Sequence, residues 1–365
     1  SSDLTVRVGL VGSGFVSEIH ALAFKQVRGA VVSAVASPTE GHADVFARKY
    51  GIPHAFTDYR QLLDLKELDL IVLGLPNDLH CQVCLDAAEA GKHIVCEKPL
   101  SMNLAEADRM IAACKNAGVK LMYAEELCFA PKYVRLKDLA REGALGQVYL
   151  VKQSEKHDGP HSPWFWDVRR SGGGVTMDMG CHAFEFFRWM LNKPKVLDIY
   201  ADMKQVLYSG RTDGEDSSHI LVTFEGGATG LAEESWVKKG GMDDRAEVFG
   251  TEGAAYADML YGNSIRTYSE KGYGYAVEKA GSTRGWSFTM YEEIWNYGFP
   301  QEMQHFVDCV REDKPPLETG EDGRAVLEMI FAAYQSAASG RRVTLPCHSP
   351  DARPIDPWLA SQSGK

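Results

Sequence analysis

No apolar run in the 365 residues approaches the ~20 needed to span a bilayer as a helix. Positive charge is in deficit: 39 Lys and Arg stand against 50 Asp and Glu, a formal net charge of −11. That balance disfavours nucleic acid or an anionic membrane as a partner. Eight cysteines (81, 84, 96, 114, 128, 181, 309 and 347) are scattered through helical and strand patterns, which speaks for reduced thiols rather than a disulfide framework. The N-terminus does not read as a signal peptide, because Val6 to Val11 is already a strand. Internal repeats and long linkers are missing too. These absences lead to the expectation of a cytoplasmic protein. What is present is ordinary for a globular chain, 45% hydrophobic and 24% charged with 35 Gly and 15 Pro, at a length that suggests two domains.

The first 126 residues alternate short apolar strands with helical patterns. Val6–Val11, Val31–Ala36, Leu70–Leu75, Ile94–Cys96 and Val119–Tyr123 are β-rich. Helical spacing runs from about Val16, then up to Tyr50, over Leu79–Ala90 and over Leu104–Ala117, with Gly91 and Gly118 where left-handed C-terminal residues are wanted. This alternation predicts an α/β domain over residues 1–126: a doubly wound parallel sheet with helices on both faces. From residue 127 to 365 the rhythm changes. Helices at Pro131–Glu142 and Gly180–Leu191 accompany strand-like runs at Val148–Ser154, Leu197–Leu207, His219–Phe224, Thr229–Val237, Ala246–Phe249 and Ile265–Tyr268. Two helices follow, Gln301–Arg311 and Asp322–Ser339, and the segment after Pro346 reads as an extended tail. Successive strands predict an α+β domain with a large, mostly antiparallel open sheet.

Gly9-Leu-Val-Gly12-Ser13-Gly14-Phe15-Val16-Ser17 follows the first strand and opens the first helix. Gly12 would permit the tight turn, Gly14 a close approach to a pyrophosphate, and the helix N-terminus would supply amide donors. Ser17 stands where a third Gly or Ala is usual. Gly74-Leu75-Pro76-Asn77-Asp-Leu-His80 ends the fourth strand on the ligand side of such a sheet, and His80 reads equally well as a packing histidine. Between Ser37 and Ala47 there is no Arg or Lys to meet a 2′-phosphate, while Glu40 and Asp44 would oppose one. NAD is therefore expected over NADP, with Ser37 bonding either.

Glu97-Lys98-Pro99 follows the fifth strand, where a lysine would face the nicotinamide and stabilise a developing alkoxide. The bland alternative is a surface lysine before proline. In Gly172-Gly-Gly-Val-Thr-Met-Asp178-Met-Gly-Cys-His182, Asp178 and His182 stand i and i+4 at a helix start, on one face. A histidine is a general base near neutral pH, and a carboxylate orients it and favours its charged form. An N-capping Asp beside an unrelated His is the competing reading. Which of Lys98 and His182 is the formal base stays open.

These residues together resemble the Gfo/Idh/MocA oxidoreductase family: the glycine turn, Glu97-Lys98-Pro99, the glycine run and Asp178…His182 fall in family order. So do Phe249-Gly-Thr-Glu-Gly253 and Ser336-Ala-Ala-Ser-Gly-Arg-Arg-Val343. The resemblance covers nearly the whole chain. It implies an N-terminal Rossmann domain and a C-terminal domain whose open sheet commonly mediates oligomerisation. It also implies that Lys98, Asp178 and His182 match the catalytic set, and that the substrate is a secondary hydroxyl or carbonyl of a sugar, glycoside or cyclitol. A catalytically silent cofactor-binding regulator on the same fold is the alternative from another class.

His157-Asp-Gly-Pro-His161-Ser-Pro-Trp164-Phe-Trp166-Asp-Val-Arg169 is dense in aromatic and hydrogen-bonding groups. It would wall a sugar pocket, with Trp166 covering the nicotinamide, or else serve as core or subunit contact. Its bulk leans toward a glycoside 3-dehydrogenase or anhydrosugar dehydrogenase. Glu126 and Trp236 are further substrate-side candidates. Cys81-x-x-Cys84 lacks a second pair, and zinc on Asp178, His182 and His161 is less simple than hydride chemistry, so no metal is expected. A homodimer or homotetramer is expected through the open sheet of the second domain.

Overall fold

The computed structural model describes residues 5–260, 265–269, 285–289, 292–347 and 349–363. It divides into two compact units, Ser1–Glu126 with Gly298–Leu327, and Leu127–Tyr297 with Glu328–Lys365.

The first unit holds strands β1 (Val6–Val11), β2 (Ala30–Ala36), β3 (His54–Phe56), β4 (Leu70–Leu73), β5 (His93–Glu97) and β6 (Leu121–Ala124). Helices α1 (Phe15–Phe24), α2 (His42–Tyr50), α3 (Tyr59–Leu63), α4 (Asn77–Glu89) and α5 (Leu104–Ala117) connect them. All neighbouring strands are parallel, in the order β3-β2-β1-β4-β5-β6. Strands covered on both faces must be apolar throughout, and every residue of β4 and β6 is buried. The order reverses between β1 and β4, which opens a crevice at the C-terminal ends of these strands. Gly118 closes α5 in the left-handed conformation, as its position predicts. The chain passes from β1 into α1 over the neighbouring backbone. Gly12 has φ +116°, and a Cβ there would lie 2.1 Å from the Gly74 carbonyl oxygen. Ser17 is accommodated because Gly74 opposite it is itself a glycine: a Cβ there would stand 2.5 Å from the Ser17 hydroxyl.

The second unit contains α6 (Pro131–Arg141), α7 (Val168–Ser171), α8 (Val175–Asp178), α9 (Gly180–Met190) and α10 (Glu293–Asn296). Its strands are β7 (Val148–Lys156), β8 (Val196–Lys204), β9 (Ser217–Phe224), β10 (Thr229–Ser235), β11 (Asp243–Gly250) and β12 (Ala254–Asp258). A separate ribbon is formed by β13 (Ile265–Ser269) and β14 (Gly285–Thr289). The last elements of the chain are α11 (Phe299–Arg311), α12 (Gly320–Ser339), β15 (Val343–Thr344) and α13 (Asp356–Gln362). The seven-stranded sheet runs β12-β11-β7-β10-β9-β8-β15, antiparallel except where β7 meets β10. Burial alternates along each central strand, so one face is inner and one outer. The helix α9 lies on the inner face with Phe187 on Gly230, where a Cβ would come within 2.5 Å of the ring.

Three elements differ from the sequence reading. The strand expected over Leu197–Leu207 ends at Lys204, because the N–H groups of Val206, Leu207 and Tyr208 turn to the buried Asp216 carboxylate at 2.6, 2.8 and 2.8 Å. The tail is not wholly extended: α13 forms and buries Trp358. Residues Gly298–Leu327, expected with the second domain, group with the first. The side-chain amide of Gln304 on α11 bonds the Arg28 backbone in both directions at 2.8 and 3.2 Å, and Glu318 accepts the Tyr123 N–H. All eight cysteines are free thiols and buried. Among the described residues no helix is long and apolar enough to cross a membrane.

Gly12→Ala combines a backbone clash with a conformation that L side chains avoid, and should lower the thermal midpoint by about 5 °C. Gly14→Ala meets nothing within 4 Å and should leave it unchanged. Equal midpoints in a thermal melt of the two variants would contradict the close-approach argument.

Candidate active site

In the first unit the candidate residues cluster at the C-terminal ends of β1, β2, β4, β5 and β6. Gly14 caps α1 in an extended conformation, and the helical ladder starts with the Glu18 N–H on the Gly14 carbonyl at 3.1 Å. The Ser13 hydroxyl donates to the Ser37 hydroxyl at 2.8 Å, tying the tip of the turn to the end of β2. Phe15 is partly exposed and Val16 half-buried, while Leu75 and Pro76 lead into α4, which opens with the buried Asn77.

His80 differs from the expectation of direct cofactor contact. It is fully buried, with Nδ1 3.0 Å from the Pro99 carbonyl and Nε2 3.0 Å from the Leu75 carbonyl. Burial pushes its pKa down, against the pull of those carbonyls. It clamps the loop after β4 to the segment after Lys98.

Glu97 is the better-placed neighbour of Lys98. Its Oε1 lies 2.7 Å from His20 Nε2, and its Oε2 accepts the Lys98 N–H at 3.1 Å. Burial resists ionisation at Glu97, but the hydrogen bond and charge of His20, aided by Lys98, outweigh it and hold the carboxyl below its ordinary value. His20 was missed by sequence reasoning, since 77 residues separate it from Glu97. Glu126 follows β6 and is buried. Glu302 on α11, also missed, is fully buried, and burial together with repulsion from Glu126, Glu97 and Glu125 drives its pKa well up.

In the second unit the glycine run is fixed by Glu215. This buried carboxylate accepts the N–H groups of Gly174 at 3.3 Å and Thr176 at 2.8 Å, and the Tyr334 hydroxyl donates to it. A Cβ on Gly174 would sit 2.0 Å from the Glu215 carbonyl oxygen, so a side chain there has no room. Asp178 closes α8, 3% exposed, and its Oδ2 accepts the Trp236 Nε1–H at 3.0 Å. The i, i+4 reading is corrected in one respect. The helix breaks at Met179, so Asp178 ends α8, and His182, also 3% exposed, lies in the first turn of α9.

The aromatic loop is close to this pair. Trp166 packs edge-on against Trp236 with centroids 5.5 Å apart, and against Tyr208 at 4.9 Å, while Arg211 stands 4.2 Å over its ring. Trp164 stacks on Phe165, and His157 sits beside His161 with centroids 4.7 Å apart. Arg169 does not face a pocket as expected; it is exposed and grips Asp167 with two hydrogen bonds of 2.9 and 2.8 Å. Trp236 is fully buried and spends its N–H on Asp178, so it positions that carboxylate.

Residues 6–125 match the family described as "Oxidoreductase family, NAD-binding Rossmann fold", and residues 133–256 match the "GFO/IDH/MocA C-terminal domain". The chain belongs to the Gfo/Idh/MocA oxidoreductase family. It is 28% identical over 342 residues to the myo-inositol 2-dehydrogenase of Thermotoga maritima, covering 93% of this chain and 98% of that protein. It is similar to the crystal structure of GenD2 from gentamicin A biosynthesis in complex with NAD. There the TM-score is 0.88 and the identity 32%, over 94% of this chain and 97% of the other. A levoglucosan dehydrogenase in complex with NADH shares the fold at a TM-score of 0.79 and 23% identity, over 94% of this chain and all of that one.

In this oxidoreductase the Trp236 N–H replaces the hydration that Asp178 lost on burial. Trp236→Phe keeps the ring and removes the donor, at a cost of roughly 1–3 kcal/mol for a buried carboxylate left short of a partner. Turnover should fall about tenfold or more while the fold persists. Wild-type turnover in Trp236→Phe, measured by reduced-nicotinamide absorbance, would show that the bond does not matter.

Proposed function

We propose that this chain is an NAD-dependent dehydrogenase that oxidises a secondary hydroxyl of a sugar, glycoside or cyclitol, with Lys98, Asp178 and His182 doing the chemistry. The observation that carries the reading is the buried Asp178, anchored by the Trp236 N–H one helical break before His182. A silent regulator has no need of a buried carboxylate held in this way, one helical break before a histidine in the chain.

The glycine turn fits a dinucleotide. Where Gly14 lacks a side chain there is open space, and the α1 N-terminus points its dipole there. Gly12, Ser13, Gly14, Phe15 and Val16 would hold the pyrophosphate, Ser37 the adenosine ribose, and Leu75, Pro76, Asn77 and Glu97 the nicotinamide half. Bound NAD supplies the hydride acceptor. His182 takes the hydroxyl proton on a ring nitrogen, while Asp178 fixes the ring and favours its charged form. Lys98 donates to the reacting oxygen as negative charge grows there. Trp164, Trp166 and Tyr208 offer flat apolar surface to C–H faces, which favours a glycoside over a free sugar.

Substituting His182→Ala should cut turnover by about 10²-fold or more while NAD affinity stays within twofold. NAD should also bind more tightly than NADP, because Glu40 and Asp44 are the charged groups that follow β2. Undiminished turnover would sink the base assignment, and a lower NADP dissociation constant would sink the preference.

The outer face of the seven-stranded sheet supports the expected self-association. Tyr200, Leu221, Leu231, Lys152, Glu247 and Tyr256 form one cross-strand row on it, with Tyr256 68% exposed. We infer a homodimer or homotetramer through this face. Light scattering at micromolar concentration should return a mass of two or four chains, and a monomer would count against the inference.

A further inference from the structure

Lys98 is flanked in the chain by two residues that buried histidines hold. Pairing in β5 ends at Glu97, opposite Ala124, so Lys98 lies just beyond the ladder. Its N–H goes to a side chain instead of a strand: Glu97 Oε2 accepts it at 3.1 Å, while Glu97 Oε1 stands 2.7 Å from His20 Nε2. An ionised carboxylate only accepts, so Nε2 carries the proton of that bond. On the other flank the His80 ring stands 3.0 Å from both the Pro99 and the Leu75 carbonyls. The helices that carry the two rings, α1 and α4, begin at the two turns that would hold the dinucleotide.

Stability alone does not account for His20 and Glu97. Ser17, His20, Ala21 and Phe24 form the buried stripe of α1, where an apolar residue is the ordinary occupant. Phe299 gives the imidazole an edge contact with centroids 6.1 Å apart. His20 Nδ1 has no hydrogen-bond partner among the described residues, so the ring directs its polarity to Glu97. A buried charged pair is seldom more stabilising than apolar side chains of the same volume, and its best-attested use is to fix an arrangement.

The groups around Glu97 agree on its charge. His20 and Lys98 hold the carboxyl below its ordinary value against the effect of burial. Burial first, then repulsion from Glu126, Glu97 and Glu125, pushes Glu302 toward the neutral acid. His80 and Cys96, which also feel Glu97, are pushed toward their neutral forms by burial. Glu97 is the acid of this group that is held as a carboxylate.

We propose that His20 is a positioning residue for hydride transfer: its Nε2–H fixes the Glu97 carboxylate that takes the Lys98 amide, and so sets the backbone from which the Lys98 ammonium reaches the reacting oxygen. Without the bond, one buried oxygen of Glu97 is unanswered and can turn to another donor, the Lys98 ammonium included. A lysine drawn into that ion pair no longer offers its proton to the substrate. The inference rests on the proposed role of Lys98, and His20 acts on the reaction only through Glu97.

The test measures kcat per NAD-binding site by reduced-nicotinamide absorbance, with whichever of myo-inositol, glucose and methyl glucoside the wild type oxidises fastest. His20→Leu should lower kcat about tenfold or more while the NAD dissociation constant stays within about threefold. His20→Gln, whose amide puts an N–H where Nε2 stood, should recover kcat to within about threefold of the wild type. His20→Asn is too short to reach Glu97 and should lose as much as His20→Leu, which keeps the test open if the leucine variant does not fold. In a Lys98→Ala background, His20→Leu and His20→Asn should each change the residual turnover by less than about twofold. Wild-type turnover in His20→Leu or His20→Asn would overturn the inference, as would His20→Gln as slow as either. Losses that multiply with Lys98→Ala, or that come wholly from weaker NAD binding, would also overturn it. Undiminished turnover in Lys98→Ala, or a wild type that oxidises no sugar or cyclitol, would instead overturn the reading on which it rests.

Discussion

Taking a carboxylate out of water costs several kcal/mol unless donors replace the lost hydration, and the organisation of both units depends on how this cost is met. Glu97 is offset by His20 and the Lys98 amide, and Asp216 by three consecutive amides. Glu215 takes two amides at the head of α8 and a tyrosine hydroxyl, and Asp178 takes an indole N–H. Each compensated acid fixes a segment that has little regular structure of its own: the end of β5, the loop after β8, the glycine run and the break at Met179. In each unit the candidate residues sit on short segments held by buried acids, which makes their geometry less tolerant of change than that of residues on one continuous helix.

The uncompensated acids are fewer and behave differently. Glu302 and Glu234 have both carboxylate oxygens buried without a hydrogen-bond partner, and burial drives their pKa values well up. A neutral carboxylic acid is the form that burial favours.

Much of the architecture was legible because its signals are local. A parallel strand buried on both faces is apolar throughout, and a strand with one open face alternates; both patterns are readable within six residues. The glycine turn, Glu97-Lys98-Pro99 and Asp178…His182 are local as well. The hidden features depend on partners distant in sequence. Nothing near Glu97 announces His20, and Tyr334 lies 160 residues beyond Gly174. Trp166 and Arg211 meet only because the loop after β8 is pinned by Asp216. The strand over-run past Lys204 has the same origin: Val206 and Leu207 have β propensity, but a buried carboxylate competes for their amides. Helix α13 was hidden in a proline-rich tail because its reason to form, the burial of Trp358, is tertiary.

Glu234, Glu155 and Asp244 are buried cross-strand neighbours on the inner face of the seven-stranded sheet, a placement that opposes folding. Burial is the main cause that pushes Asp244 from the ordinary aspartate value of 3.8 up to about 7. Between these values the folded chain holds a proton that the unfolded chain has already released. Stability from this group is therefore full at low pH and declines as pH rises through the interval. At neutral pH this row works against folding, and apolar residues of similar volume on three adjacent strands would remove the penalty.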